Sequence, residues 1–114
     1  MRFELASKAT KDVIWDLDLL SGKITWGQNV KEVFGWEAEE LDTAQKLFTK
    51  IPERYHKTLE LSLARVIASD SQLWTSFYDF YCKNGYKLTI EDKGYVSRDK
   101  NGIVDRVIGA MHDN

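Results

Sequence analysis

Three runs of alternating hydropathy, joined by two Asn-Gly pairs, constrain this chain more than any other feature. Leu73 to Cys82, Tyr86 to Val96 and Val104 to His112 each alternate, with Asn84-Gly85 and Asn101-Gly102 between them. A side-chain period of two is the mark of a strand. Asn-Gly between two such runs is the strongest short hairpin signal, because both turn positions are expected at positive φ. The expected unit is an antiparallel three-strand meander. Upstream, Val13, Trp15 and Leu17 alternate with Ile14, Asp16 and Asp18, and Ser21-Gly22 turns that strand into a second, Lys23 to Trp26.

The stretch between these two strand blocks reads as helix. Asn29 is placed to cap a short helix ending at Phe34, with Gly35 as its terminator. Asp42 or Thr43 can cap another, through Phe48. Pro52 suits the first turn of the longest helix, which is expected to reach about Ser69, and Glu53 complements the positive end of its dipole. Leu59, Leu63 and Val66 share one face of it. Residues Phe3 to Thr10 are compatible with a short flanking helix. The expected fold class is α+β: a five-stranded antiparallel sheet with helices on one face. If the first and last strands pair, the strand order is 2-1-5-4-3. One domain is expected over residues 1–114, with a flanking helix over 1–10 and a core over 11–113.

The length of 114 residues allows one real core without a covalent staple. A formal charge of −2 lacks the clustered positive field that phosphate binding needs, so no nucleic-acid partner is expected. The single cysteine, Cys82, excludes an internal disulfide and a multi-cysteine metal site. No apolar run approaches the roughly 18 residues of a membrane span, and Met1-Arg2-Phe3-Glu4 does not open a signal peptide. A cytoplasmic location without membrane contact is the expectation. Hydrolytic chemistry needs a nucleophile, a base and an orienting group. His56, His112 and Cys82 show no spacing that converges them, so no catalytic or metal-binding residue is assigned.

Strand phase sorts the apolar residues onto two faces. By alternation, together with the phase implied by the family resemblance set out below, Trp15, Leu17, Ile24, Trp26, Tyr78, Phe80, Leu88, Ile90 and Met111 are expected to point at the helices, facing Val30, Phe34, Phe48, Leu59, Leu63 and Val66. These side chains either fill the core, which is the default for protein interiors, or leave an apolar or amphipathic ligand site. In the second case the pocket residues are Trp15, Leu17, Trp26, Phe34, Leu63, Tyr78, Phe80, Ile90 and Met111, with Tyr78 and the indole nitrogens as polar handles. Ile14, Phe77, Tyr81, Ile108 and Ala110 have the opposite phase and form an apolar patch on the other sheet face. Such a patch marks an interaction site unless the Phe3–Thr10 helix covers it.

The order of these segments resembles the PAS family, in the subclass with a PAC-type second half, from about Lys11 to Asp113. The similarity runs through Val13-Ile14-Trp15-Asp16-Leu17-Asp18 with Ser21-Gly22-Lys23-Ile24-Thr25-Trp26, then Val30-Lys31-Glu32-Val33-Phe34-Gly35-Trp36 and Ile51-Pro52-Glu53. It continues through Lys83-Asn84-Gly85, Gly94 to Gly102, and Ile108-Gly109-Ala110-Met111-His112-Asp113. Two positions depart from it: Asp79 stands where the subclass carries arginine, and Thr89 where it carries tryptophan.

The resemblance implies a sensory input domain that regulates an effector in the same chain, such as a GGDEF diguanylate cyclase or a sensor histidine kinase. The outer-face patch gives the expectation of a homodimer through the N-terminal helix and outer sheet face, and the resemblance implies a signalling role for Asp113, where the family joins its output helix. A ligand-free dimerisation module is the alternative. Haem-binding relatives place a histidine on the long helix, whereas His56 falls in its first turn, a position usually exposed. Light-sensing relatives place a reactive cysteine in a helix that here reads Ala44-Gln45-Lys46-Leu47-Phe48. No cofactor, haem or flavin, is therefore expected.

Overall fold

A computed structural model describes residues 11–114; the helix expected over Phe3–Thr10, and the contacts expected of it, lie outside them. Strands β1 (Val13–Asp18), β2 (Ile24–Trp26), β3 (Leu73–Tyr81), β4 (Lys87–Arg98) and β5 (Val104–Asp113) form one antiparallel sheet in the order β2-β1-β5-β4-β3. β1 and β5 pair from Val13–Met111 to Asp18–Arg106. This closes the N-terminal hairpin onto the meander and fixes the expected order.

The hairpin turns differ from the expected type. Gly85 and Gly102 have φ of 93° and 82°, but neither Asn84 nor Asn101 is at positive φ. Each loop is instead closed by an i to i+3 bond, Gly85 N–H to the Cys82 carbonyl and Gly102 N–H to the Asp99 carbonyl, with the glycine alone left-handed. That is the longer hairpin loop in which a turn is followed by one left-handed residue. The asparagine or aspartate side chain stabilises it from within. Asn84 Oδ1 accepts from Tyr86 N–H, and Asp99 Oδ1 accepts from the N–H groups of Asn101 and Ile103.

Helices α1 (Val30–Phe34), α2 (Ala44–Phe48) and α3 (His56–Ala68) lie between β2 and β3 in sequence. Gly35 ends α1 at φ 81° as expected, its N–H reaching the Lys31 carbonyl. Asn29 precedes α1 but does not cap it with its side chain; the amide instead donates to the Asp12 carbonyl at 2.9 Å, tying the helix to the start of β1. Thr43 caps α2, accepting from Lys46 N–H. Pro52 stands before a 3₁₀ turn, Glu53–Tyr55, so the α-helical bonds of α3 begin only at His56. The C-terminal end of α3 and the segment after it are tied to the sheet. The Arg98 guanidinium donates to the carbonyls of Val66, Ser69 and Ser71 and, at the next turn, of Gly102.

The core lies between sheet and helices. Val13, Phe34, Leu41, Phe80, Ile90, Val107 and Met111 are fully buried, and the Phe34 and Phe80 rings pack 4.4 Å apart. No described helix is long and apolar enough to cross a membrane.

Candidate functional site

One cross-strand row shapes the inner face of the sheet. Trp26 pairs with Trp15, Trp15 with Gly109, Gly109 with Gly94, and Gly94 with Trp74. The two glycines leave a bare strip of backbone between large aromatics. The Trp15 indole lies down over that strip and meets Trp74 edge-on, with centroids 6.1 Å apart and planes at 81°. A β-carbon on Gly109 would overlap the Trp15 ring, and one on Gly94 would crowd Trp74, Val107 and Trp15 at 3.2 to 3.3 Å.

Because the Trp15 indole lies over the glycine strip, the space above it is not filled. A cavity of about 700 Å³ opens between the sheet, α2 and α3. Trp15, Leu17, Ile24, Trp74, Tyr78, Asp92 and Met111 line it from the strands. Leu47, Phe48, His56, Leu59, Leu63 and Ile67 line it from the helices, with exposed Gln45, Glu60 and Ala64 at its rim. The volume lies within the roughly 300–1,000 Å³ of small-molecule sites.

The polar centre of this wall is Asp92, in mid-β4 and only 4% exposed. Its Oδ1 accepts from Trp15 Nε1–H at 2.8 Å and its Oδ2 from the Tyr78 hydroxyl at 2.6 Å. Burial raises the Asp92 carboxyl to about 7, against the pull of those two donors, which favour the carboxylate. Burial, and then the neighbouring Asp92 charge, hold the Tyr78 phenol well above its ordinary value. Near neutral pH the site thus holds a buried carboxyl poised between its two protonation states.

The residues named from the sequence divide into two groups. Trp15, Leu17, Leu63, Tyr78 and Met111 line the cavity. Trp26, Phe34, Phe80 and Ile90 do not. Trp26 sends its N–H to the Leu41 carbonyl at 2.8 Å, and Phe34, Phe80 and Ile90 are packed core. The indole nitrogens are not open handles: those of Trp36 and Trp74 donate to the Tyr81 carbonyl and Ser62 Oγ, and that of Trp15 to Asp92. His56 is half-buried rather than exposed. Its ring packs against Phe48, and Nε2 donates to the Ile51 carbonyl at 2.7 Å, so that nitrogen is not open to an axial ligand role.

On the outer face Phe77 and Tyr81 are 55% and 42% exposed and Ile14 and Ile108 are half-buried; Asp113, in step with Met111 rather than with this face, is exposed at the end of β5. Asp79 and Thr89, the two departures from the family pattern, face each other across β3 and β4, and Arg54 pairs with Asp79 at 2.9 Å. The sequence reading passed over Asp92 and Trp74. Strand phase does carry both: Trp74 is in step with Tyr78 and Phe80, and Asp92 with Leu88 and Ile90, a charged residue at an inward position.

The chain belongs to the PAS-fold family, whose model matches residues 23–111. No curated protein matches it significantly. Solved structures similar to it include the N-terminal domain of a diguanylate cyclase with PAS/PAC sensor from Marinobacter aquaeolei, at 17% identity and a TM-score of 0.79 over 90% of this chain and 94% of that one. A sensory box histidine kinase/response regulator from Burkholderia thailandensis matches at 20% identity and TM-score 0.79, over 99% of this chain and 84% of that one. A PAS domain from Colwellia psychrerythraea matches at 18% and 0.73, over 100% and 98%. At these identities the likeness is one of fold.

Proposed function

We propose that residues 11–113 are the sensing core of a cytoplasmic signalling protein, binding a small molecule between sheet and helices and regulating an effector on the same chain. The observation that carries this reading is the cavity of about 700 Å³ with a single buried carboxyl in its wall. A wall of this kind gives a ligand apolar area for affinity and one polar point for orientation. The module itself transmits and does not catalyse. The effector is of the kind carried by its structural relatives, a GGDEF diguanylate cyclase or a sensor histidine kinase.

The signal leaves through β5. Asp92 pairs with Met111, which also lines the cavity, and two residues on is Asp113. A ligand that displaces Met111 shifts the strand end that positions Asp113. The test is native mass spectrometry of the protein, with effector assays on the full-length chain carrying Leu63→Trp, which fills the cavity, or Asp113→Ala. A bound small molecule, a signal lost in Leu63→Trp and an altered output in Asp113→Ala are expected. An empty protein whose effector ignores both substitutions sinks the reading.

A second reading, a dimerisation module without ligand, draws on the outer sheet face. Leu73 and Tyr95 are cross-strand neighbours, 65% and 53% exposed, and Tyr95 pairs in turn with Ile108. With Phe77 and Tyr81 they make an apolar surface suited to a second copy. A protein that stays monomeric at every concentration removes this reading and leaves the first intact.

A further inference from the structure

We propose that the cavity selects a hydrophobic amine: an apolar, ring-bearing body carrying one ammonium group that docks against the Asp92 carboxylate, with carboxylates and phosphates excluded. This rests on the reading of the cavity as a ligand site and narrows it to one class.

The argument starts from charge. Among the residues lining the cavity there is no lysine and no arginine. Its two carboxylates are Asp92 in the wall and Glu60 at the rim. An anionic ligand would have to leave water for a site without lysine or arginine, and would meet Glu60 at the rim and the ionised form of Asp92 in the wall. That is among the costliest transfers in protein chemistry.

Asp92 itself makes the complementary demand. Among the described residues no cationic side chain pairs with it, although it is buried. Its two partners, Trp15 and Tyr78, each occupy one oxygen. A carboxylate oxygen accepts two hydrogen bonds, so each keeps one acceptor direction. An ammonium group supplies donors for these two open directions together with the missing positive charge. Such charge-assisted bonds are the strong ones. The rest of the wall, from Trp15 and Trp74 to Leu59, Leu63 and Met111, suits an apolar body, and indole faces favour a nearby cation.

The same carboxyl gives the selection a pH dependence. The other titratable side chains facing the cavity are Tyr78 on β3 and His56 and Glu60 on α3; β1, β2, β5 and α2 contribute none to its lining. Burial raises the Asp92 carboxyl to about 7. Ammonium binding draws it to the carboxylate, and protonation of Asp92 competes with the ligand.

Three probes that share an indolyl-ethyl body test this: tryptamine, tryptophol and indole-3-propionate, cationic, neutral and anionic. Each is titrated into the isotope-labelled protein, and cavity resonances are followed by NMR at about pH 7.5 and about pH 5.5. Tryptamine is expected to bind about tenfold or more tighter than tryptophol at the higher pH, a difference of about 1.4 kcal/mol. Indole-3-propionate is expected to leave the cavity unshifted, and the amine's advantage to shrink at the lower pH. In Asp92→Asn the amine should fall to the level of the alcohol. If that variant does not fold, the three-probe comparison on the unaltered protein decides alone. Equal binding of amine and alcohol, or binding of the acid as tight as that of the amine, overturns the inference and leaves the cavity a ligand site. Failure of all three to shift cavity resonances also overturns the inference, and the ligand-site reading then stands or falls on the native mass spectrometry and effector assays.

Discussion

Replacing Asp92 by asparagine should change how stability depends on pH, and the sign and size follow from its burial. A carboxyl at 3.8 in the unfolded chain and about 7 in the folded one binds more protons when folded at every pH between those values. Folding is therefore favoured by protons, and stability from this residue is lost as pH rises through the window from about 4 to 7. The slope is about 1.4 kcal/mol per pH unit in mid-window. Between pH 5 and pH 8 the shift to about 7 amounts to about 2.5 kcal/mol.

Asparagine keeps the shape, accepts from Trp15 and donates to the Tyr78 oxygen, and has no proton to lose. The stability of Asp92→Asn minus that of the unaltered protein should therefore increase by about 2.5 kcal/mol from pH 5 to pH 8 and level off above pH 8. Taking the difference removes the contributions of other titrating groups such as His112. Urea melts of both proteins at pH 5, 6, 7 and 8, with slopes checked for constancy, give the measurement. Parallel curves, within about 0.5 kcal/mol of one offset, would show that Asp92 is not a buried carboxyl of this kind.

Further outcomes are expected elsewhere in the fold. Gly109→Ala should destabilise by about 1–3 kcal/mol, the usual cost of overpacking, and change the near-ultraviolet circular dichroism, because the new methyl displaces the Trp15 ring; an unchanged spectrum would contradict that packing. Phe80→Ala should cost about 3–5 kcal/mol, whereas Leu63→Ala should cost less than about 2, because Phe80 is enclosed and Leu63 borders a cavity; equal losses in denaturant melts would refute the contrast. His112 titrates above the ordinary histidine value because Asp12 accepts from its Nδ1 at 2.7 Å. Its stabilising effect is fully present below the unfolded value and lost as pH rises through the folded one, and NMR titration should show the His112 value falling in Asp12→Asn.

The strands, their phase and their antiparallel sense were legible in the sequence, because a period of two and glycine-bearing turns are local properties. The glycine at positive φ was equally legible. The loop around it was not, because Asn84 and Asp99 serve through side-chain bonds to the following backbone rather than through a left-handed conformation of the first turn residue. Asn29 and Pro52 show the same limit. Each carries a helix-start signal, yet tertiary contact drew the Asn29 amide to Asp12, and the bond from Tyr55 to Pro52 made the first turn 3₁₀.

The cavity belongs to tertiary structure. By itself the sequence determined a set of inward apolar residues, which serve equally well to fill a core or to line a hole. What decided between the two was register. Pairing of Trp15 with Gly109, and of Gly109 with Gly94, sets an indole over two residues that lack side chains. The ring can then lie flat, leave open space above itself and turn its N–H toward Asp92. These partners lie up to 94 positions apart in the chain (Trp15 and Gly109), beyond the reach of any local pattern. Phe34 and Phe80, equally apolar and equally inward, meet each other instead and close the core at 4.4 Å. Which inward side chains face a partner and which face a bare strip of glycine backbone is a property of the paired sheet, because it depends on what each strand finds across from it.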